Sequence, residues 1–436
     1  MTGCIGPVGR QTQPTAQNQL LSTYDYPPVE EDKTENEMIN IGKAIDGLTL
    51  EDASQYVQNH PELVAAMAEV KAAKGRIQQA RLWPNPEING HIESAPLSGQ
   101  TLRDAEYIIG IDQQVPLGKR RSLASEIEVL NHSKLEQELL VRKIELHKEM
   151  KQAFFEVLYW DTIVDIQLEA LKTANNGVEV ARNRAKVGDI IAVDVSQAEM
   201  EYQRTEAELE LAKANREQAI STLSLAMGNP EIMINSVSGN FTHQKIRLPQ
   251  LADTLKKIPE TPYQKISHLQ VIIAEKVVAL QKAQRIPDMT IGVGYRRIEE
   301  ENDDAVDVGV SFPLPLFDNN SGNIQEATSK LTATQASARS NRRKLEAKAL
   351  LDYTTLKISL SQANQLCDKI IPKARDILKT AEERYRLGDI SLIEVLPLRK
   401  NITALRIEYA DALRQLLEAQ LELSLFIEGQ GSEEIH

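Results

Sequence analysis

A seven-residue pattern occurs twice in this chain, first at residues 184–190 and again at residues 384–390. It reads Arg-Ala-Lys-Val-Gly-Asp-Ile in the first copy and Arg-Tyr-Arg-Leu-Gly-Asp-Ile in the second. The offset continues downstream, where seven residues of the first copy recur two hundred positions later: Val195, Glu208, Ala212, Ala219, Leu223, Ser224 and Leu225. An offset kept over so many positions indicates an internal duplication, which restricts the possible architectures more than any single motif does.

Each copy begins with a predicted helix and two strands. Thr49 and Asp52 have the spacing of a capping box, so a short helix is expected to follow, and Pro61 then starts a helix that ends near residue 82. In the second copy, Thr261 is the predicted N-cap and Pro262 the first helical residue. Apolar and polar residues alternate after both helices. The alternation predicts strands at about residues 86–95, 105–116, 288–298 and 305–313.

These strands have one apolar and one polar face, which is typical of a membrane β-barrel with lipid outside and water inside. An ordinary half-buried sheet has the same pattern. Four strands cannot close a barrel, and lipid does not tolerate an open sheet edge, so a barrel requires several chains. The sequence has no run of 18 apolar residues and therefore predicts no membrane-spanning helix.

Long helices follow both hairpins. Residues 119–187 and 322–387 have helical patterning, and each stretch would extend for about 100 Å at 1.5 Å per residue. The helices at 190–228 and 262–285 are shorter and together nearly as long, so we expect one long helix beside two stacked shorter ones.

The return helices carry apolar residues at steps of three and four, the period of a coiled coil. In the second copy this row is Val395, Leu398, Ile402, Leu405, Tyr409, Ala412, Leu416, Ala419, Leu423 and Phe426. In the first copy Arg216 is the one residue that does not fit the apolar row. An isolated cytosolic coiled coil would have this period too, but it would not explain the amphipathic hairpins.

Composition argues against several functions. The net charge is −13 without a basic cluster, which argues against a nucleic-acid partner. The acidity predicts either a solvated surface or a lumen that attracts cations. The seven histidines have no paired ligand spacing, and the chain has neither a glycine-rich phosphate loop nor a nucleophile elbow. We therefore expect no metal site, no cofactor and no enzymatic activity. With only Cys4 and Cys367, no disulfide framework is expected.

The order of helix, strand pair, long helix, Gly-Asp tip and return helix, present twice over residues 47–429, resembles the TolC-like outer-membrane efflux proteins. Two segments resemble more specifically the CzcC and CusC branch, which exports heavy-metal cations: Arg81-Leu-Trp-Pro-Asn-Pro-Glu-Ile88 and Gln114-Val-Pro-Leu-Gly-Lys-Arg120. The resemblance implies a mainly α fold with a membrane β-barrel portion. Three chains, each with two tandem repeats of helix, β-hairpin, long helix and helix, would form a twelve-stranded outer-membrane barrel and a periplasmic α-helical barrel.

The resemblance divides the chain into an N-terminal extended arm, a first repeat, an equatorial linker, a second repeat and a C-terminal tail. Their boundaries are 1–46, 47–228, 229–260, 261–429 and 430–436. Thr2-Gly3-Cys4 resembles the end of a bacterial lipobox, which implies lipid attachment at Cys4.

The function implied is that of a passive trimeric duct in the bacterial outer membrane that extends into the periplasm. Its partners would be a periplasmic adaptor, an inner-membrane pump of the resistance-nodulation-division (RND) type and outer-membrane lipid. The branch implies cations of the Co/Zn/Cd or Cu/Ag type as cargo. The alternatives are the same fold exporting drugs or other small molecules, and a soluble structural coiled-coil protein.

The resemblance also assigns roles to the tips. In the family an arginine, a small apolar residue and the tip glycine dock the adaptor. The matching positions are Arg184, Val187, Gly188, Arg384, Leu387 and Gly388. Turn chemistry alone also accounts for the glycines, because glycine ends a helix at positive φ.

The family gate at the periplasmic end consists of a tyrosine before the second tip and an acidic ring after it. Tyr385 and Glu394 match these positions, and Asp194 occupies the equivalent place in the first repeat. The family's second gate aspartate and its locking arginine are replaced by Pro397 and Ile390. Three Glu394 side chains around a narrow axis would attract cations, whereas a solvated helix face is the competing interpretation.

Overall fold

The computed structural model describes residues 44–93, 105–188, 190–242, 246–299 and 301–427. The first repeat contains β1 (Leu48–Thr49), α1 (Leu50–Val57), α2 (Pro61–Arg81), β2 (Glu87–Glu93), β3 (Glu106–Val115), α3 (Arg120–Lys186) and α4 (Ala192–Ala226). The connecting segment contains β4 (Val237–Ser238) and α5 (Leu251–Lys257). The second repeat contains α6 (Pro262–Ala283), β5 (Met289–Ile298), β6 (Asp303–Ser311), α7 (Ser321–Gln365), α8 (Ile371–Leu387) and α9 (Leu392–Ile427). Cys4, nearly all of the predicted arm and the C-terminal tail lie outside the described residues.

The predicted helix starts are confirmed. The Thr49 hydroxyl accepts a hydrogen bond from the Asp52 backbone N–H at 3.2 Å, and the Asp52 carboxylate accepts one from the Thr49 N–H, which completes the capping box. The Thr261 hydroxyl caps α6 by accepting from the Gln264 N–H at 3.4 Å, with Pro262 in the first turn. The sequence did not single out His60, whose Nδ1 accepts from the Glu62 N–H at 3.2 Å and caps α2.

The two hairpins join into one antiparallel sheet of four strands in the order β2-β3-β5-β6. Ile109 of β3 lies opposite Gly90 of β2 and Tyr295 of β5, and Tyr295 lies opposite Val306 of β6. This register places most apolar residues of the four strands on one face, as the alternation predicted, while Ile108 and Ile298 lie on the other face. The large side chains on that face are exposed: Ile88, Ile92, Ile109, Ile111, Ile291, Val293, Tyr295, Val306, Val308 and Val310.

The long helix of the first repeat, α3, is unbroken over 67 residues, as predicted. The long helix of the second repeat is also continuous from Ser321 to Leu387, but it contains a π turn at Leu366–Ile370. Pro372 follows that turn and has no N–H to donate to the preceding turn. The π turn shifts the bonding so that the Ile371 N–H reaches the Leu366 carbonyl, five residues back.

Shorter helices lie on both sides of α3. α2 and α4 share one side, where Arg76 pairs with Glu128 at 3.4 Å and Arg216 pairs with Asp161. α6 and α9 lie on the opposite side, where Lys276 pairs with Glu126 at 2.6 Å and Glu422 pairs with Lys148 at 2.7 Å. α6 and α9 also pack against α7, and α9 against α8. The order across the layer is therefore α2 and α4, then α3, then α6 and α9, then α7 and α8.

This order corrects the stacking expected from helix lengths. The helices at 190–228 and 262–285 do both lie beside a long helix, but they contact opposite sides of α3. Helix length alone could not decide this pairing, because α2 and α6 have nearly the same length: 21 and 22 residues.

The predicted seam of α9 is largely buried. Six of its residues are at most 5 % exposed: Val395, Ala412, Leu416, Ala419, Leu423 and Phe426.

Arg216 is the residue that did not fit the apolar row of the first copy, and the structure shows its contacts. Its guanidinium pairs with Asp161 of α3 and donates to the Asn235 carbonyl at 3.0 Å. The arginine thus attaches the connecting segment to the first repeat.

We expect Arg216→Ala to destabilise the fold by about 1–3 kcal/mol, because it removes a partly buried ion pair and leaves Asp161 without its partner. Arg204→Ala is the matched control, since Arg204 is an exposed arginine of the same helix paired with Glu208 four residues on. That control should change the free energy of unfolding by no more than about 0.5 kcal/mol. Urea unfolding in detergent, followed by far-UV circular dichroism, measures both; equal effects would contradict this role for Arg216.

Candidate functional site at the helix tips

Two tight turns end the long helices. Gly188 follows α3 with φ +75° and Gly388 follows α8 with φ +87°, a backbone conformation that glycine adopts without steric cost. At the second tip the Gly388 N–H donates to the Tyr385 carbonyl at 3.1 Å and the Asp389 N–H to the Arg384 carbonyl at 3.0 Å. The glycines therefore have a structural role at both tips, whatever else they contact.

The two tips are in direct contact. Arg184 of the first repeat donates from Nη1 to the backbone carbonyl of Tyr385 in the second repeat at 3.3 Å. Its guanidinium carbon lies 4.9 Å from the centre of the Tyr385 ring, within range of a cation–π interaction. A predicted docking residue and a predicted gate residue thus contact each other.

The Tyr385 side chain is only 4 % exposed. It packs in a small core shared by both repeats, together with Val178, Ala181, Ala198, Leu392 and Val395. Its hydroxyl has no hydrogen-bond partner among the described residues. A gate side chain has to reach the axis between subunits, so the gate role of Tyr385 stays a prediction that requires the ring to leave this core.

Apolar side chains extend from both tips. Val187 and Leu387 are 79 % and 78 % exposed, and Ile191 beside them is 67 % exposed. Arg384 is also exposed, one turn before Gly388. Exposed apolar groups beside an arginine are typical of protein contact surfaces. The docking role of the tips remains a prediction that this exposure favours.

Glu394 lies at the first turn of α9 and is exposed. Its carboxylate accepts hydrogen bonds from the Ser391 N–H at 3.2 Å and the Ser391 hydroxyl at 3.0 Å. These bonds, with a smaller contribution from Arg384, hold the pKa of Glu394 below its usual 4.5. The carboxylate therefore stays ionised above that pH, and its capping contribution is lost only as the pH falls through the lowered pKa.

The matching position of the first repeat differs. Asp194 also lies in the first turn of its helix, but the residue before that helix is Ile191, which has no hydroxyl. The Ser-x-x-Glu spacing at residues 391–394 is a capping signal that the sequence interpretation did not use. Glu394 can cap α9 and also take part in the predicted acidic gate ring, because its carboxylate stays exposed and charged while it caps the helix.

The face of the four-stranded sheet opposite the exposed apolar residues is polar. Arg296 pairs there with Glu106, with Glu93 at 3.2 Å and with Asp307 at 2.8 Å, so it joins residues of β2, β3, β5 and β6. The register gives this face, within the described strands, one arginine against six carboxylates: Glu87, Glu93, Glu106, Asp112, Asp303 and Asp307. The Arg296 cluster was missed from sequence, because it depends on register between strands far apart in the chain.

The described residues contain no group of three or more His, Cys, Asp or Glu side chains arranged to hold a metal ion. Among the described helices, none combines the length and the apolar character needed to cross a membrane.

Comparisons with known proteins agree on one family. A family model described as outer membrane efflux protein matches residues 53–229 and 267–427, one segment for each repeat. The cobalt-zinc-cadmium resistance protein CzcC of Cupriavidus metallidurans is 27% identical over 374 residues, which cover 85% of this chain and 88% of that protein. The nickel-cobalt-cadmium resistance protein NccC of Alcaligenes xylosoxydans xylosoxydans is 24% identical over 63% of this chain and 62% of its own. A crystal structure of CusC superposes with a TM-score of 0.73 at 16% identity and covers 86% of this chain and 91% of that one.

Substitutions of Tyr385 should distinguish the contribution of its ring to local stability from that of its hydroxyl. Tyr385→Phe keeps the packing and the stacked Arg184 while removing a buried hydroxyl that has no partner among the described residues, so stability should change by at most about 0.5 kcal/mol. Tyr385→Ala opens a cavity in the tip core and should cost about 3–5 kcal/mol locally. Amide hydrogen exchange over residues 178–198 and 381–395 measures both effects. If the Phe variant exchanged as fast as the Ala variant, the hydroxyl would be required for the stability of the tip core.

Proposed function

Because the chain belongs to the outer membrane efflux protein family, we propose that it is the outer-membrane channel of a tripartite RND-type system that exports heavy-metal cations. Proteins of this family are passive efflux channels and not enzymes. The observation that carries the cargo proposal is the similarity to a cobalt-zinc-cadmium resistance protein over most of both chains. Two further relatives are named for resistance to nickel and cobalt, one of them also for cadmium.

The sheet supports a channel formed by several copies. Its apolar face is exposed, as expected for a face that contacts lipid, and β2 and β6 are its two open edges. Open edges are not tolerated in lipid, so pairing between copies has to satisfy them. A homotrimer with twelve strands meets that requirement. A soluble coiled-coil protein would leave the apolar face without a partner.

The polar face supports cations as cargo. Once the barrel closes with lipid outside, this face lines the water-filled interior. Within the described strands, each chain brings six carboxylates and one arginine to it, so the interior attracts cations and repels anions. The lack of a clustered ligand set among the described residues suits a conduit, because cargo that binds tightly does not leave.

The tips are proposed to receive the periplasmic adaptor. Val187 and Leu387 supply exposed apolar contacts, Gly188 and Gly388 keep the turns tight, and Arg384 supplies an exposed charge. Arg184 is included in this docking proposal as the matching arginine of the first tip. The gate is proposed to involve a ring of Glu394 with Asp194 nearby, and Tyr385 if its ring leaves the tip core.

The channel would lie in the outer membrane and extend into the periplasm, where an adaptor connects it to an inner-membrane RND pump. Lipid attachment at Cys4 is part of this proposal, and palmitate labelling that is lost in Cys4→Ser would test it.

Deleting the gene should lower tolerance to cobalt, zinc, cadmium, nickel or copper several-fold while leaving tolerance to drugs and detergents unchanged. A plasmid copy of the wild-type gene should restore growth on the metal. Minimum inhibitory concentrations measured for both classes of compound decide between the two cargoes. Unchanged metal tolerance with lowered drug tolerance would sink the metal proposal and favour a drug duct of the same fold.

Arg384→Glu should weaken adaptor docking, because it reverses an exposed charge at the tip. Arg386→Glu is the matched control, being another exposed arginine two residues away. A photo-crosslinker at Leu387 reports adaptor contact, and heat-sensitive gel migration reports an intact oligomer. We expect cross-linking to fall several-fold in the first variant only, with the oligomer retained in both. Normal cross-linking of Arg384→Glu would exclude this docking role.

A further inference from the structure

Arg296 lies near one end of the sheet, on its polar face. β5 begins at Met289, which follows the end of α6, and it ends at Ile298, just before the turn to β6. Arg296 is two residues from that end. In the channel proposed above, cargo that enters at the helix tips leaves at the hairpin turns. The side chain therefore lies close to the exit of the barrel.

Three carboxylates converge on the Arg296 side chain. Its Nη1 donates to Glu93 at 3.2 Å and also to Glu106, so two carboxylates share one nitrogen. Its Nε donates to Asp307 at 2.9 Å. These carboxylates come from β2, β3 and β6. The guanidinium thus occupies the point at which three negative charges from three other strands meet.

Strand register alone does not produce this convergence. Arg296 lies opposite Ile108 of β3 and Ala305 of β6, so Glu106 and Asp307 are diagonal to it. Glu93 is on β2, which β3 separates from β5. At about 4.8 Å per strand, two spacings of the sheet lie between β2 and β5. The carboxylates and the long arginine side chain therefore extend along the face toward one another.

A carboxylate nearer the helices is held differently. Asp112 of β3 accepts a hydrogen bond from the neutral Asn89 amide at 2.6 Å. A neutral donor is sufficient for one carboxylate, but three close carboxylates repel one another and are stabilised by a positive charge. Arginine supplies that charge at any pH at which the protein is folded, because its guanidinium does not lose its proton.

A divalent cation could supply the same charge. Carboxylate oxygens are suitable ligands for divalent cations, and several of them around one point form a binding site. A channel has to attract its cargo and also release it, so a site of this kind at the exit would slow transport. The arginine fills the position that such a cation would take.

We propose that Arg296 determines how the channel treats its cargo at the exit, by acting as a built-in counter-ion that prevents divalent cations from being held by Glu93, Glu106 and Asp307. Three carboxylates against one guanidinium still leave this cluster negative, so cations remain attracted to the exit without a fixed site. This role rests on the cation channel proposed above and adds a residue that controls release.

Equilibrium dialysis of the purified full-length protein against Co²⁺ tests this role. Arg296→Gln removes the positive charge and keeps a polar side chain. We expect a gain of about one bound Co²⁺ per chain over the wild type, with a dissociation constant of about 10⁻⁴–10⁻³ M, the range of weak carboxylate sites.

Two further variants separate the charge of Arg296 from its structural contacts. Arg297→Gln is the matched control, because Arg297 is the adjacent arginine, lies on the opposite face and pairs with Asp304 at 3.0 Å. It should bind no additional Co²⁺. Arg296→Gln combined with Glu106→Gln removes one charge of each sign and should return Co²⁺ binding to the wild-type level. Heat-sensitive gel migration reports whether each variant forms the oligomer.

The proposal is overturned if Arg296→Gln binds no more Co²⁺ than the wild type, if Arg297→Gln gains as much, or if the double variant keeps the gain. Arg296→Met is a second neutral variant for which the same gain is expected. If neither neutral variant forms the oligomer, Arg296 is needed for the structure itself and the proposal also fails.

Metal tolerance of the deletion strain keeps this proposal apart from the proposed function. A wild-type gene that restores tolerance, together with no gain of Co²⁺ in Arg296→Gln, refutes the role of Arg296 and leaves the channel function standing. A wild-type gene without effect on metals refutes the cargo, whatever the dialysis shows.

Discussion

The packing of four shorter helices on both sides of α3 is the constraint on which the rest of the structure depends. α2 and α4 belong to the first repeat and cover one side, while α6 and α9 belong to the second repeat and cover the other. One unbroken helix therefore joins the two copies of the duplicated sequence. Gly177 is part of this interface between the repeats, because a Cβ there would lie 2.9 Å from Nη1 of Arg399. Arg399 uses that space to approach the Thr173 carbonyl at 3.5 Å while it pairs with Glu382 at 3.0 Å.

Charged side chains also connect the two repeats where their interface around α3 is partly buried. Glu422 of α9 pairs with Lys148 of α3 at 2.7 Å and with Lys348 of α7 at 2.6 Å, so one carboxylate connects three helices. Burial opposes the ionised form, but the hydrogen bonds and charges of the two lysines outweigh it and lower the pKa of Glu422. Removing one member of such a cluster would leave the others unpaired, so the cluster favours the arrangement in which these three helices lie side by side.

The packing of both repeats on α3 also brings the two tips to one level. The residues at the two tips differ. The first copy contributes Arg184 and the second contributes Tyr385, and the arginine lies over the tyrosine ring. Only the second copy has a serine that can cap its return helix together with an acidic residue. Duplication thus supplied two similar turns, and the later differences between them produced the contact that holds them together.

The sequence by itself determined the elements: the capped helix starts, the alternating strands, the long helices and the glycine turns are all local patterns of period or residue type. It also located the tip residues and, through the resemblance, the family. Only the tertiary structure decided that α2, rather than α6, lies with α4, that Tyr385 is buried beneath Arg184, and that Arg296 gathers carboxylates from neighbouring strands. These contacts include residues 201 and 203 positions apart, and neither period nor spacing encodes such pairings. They follow from strand register and from the sides of α3 that each repeat occupies.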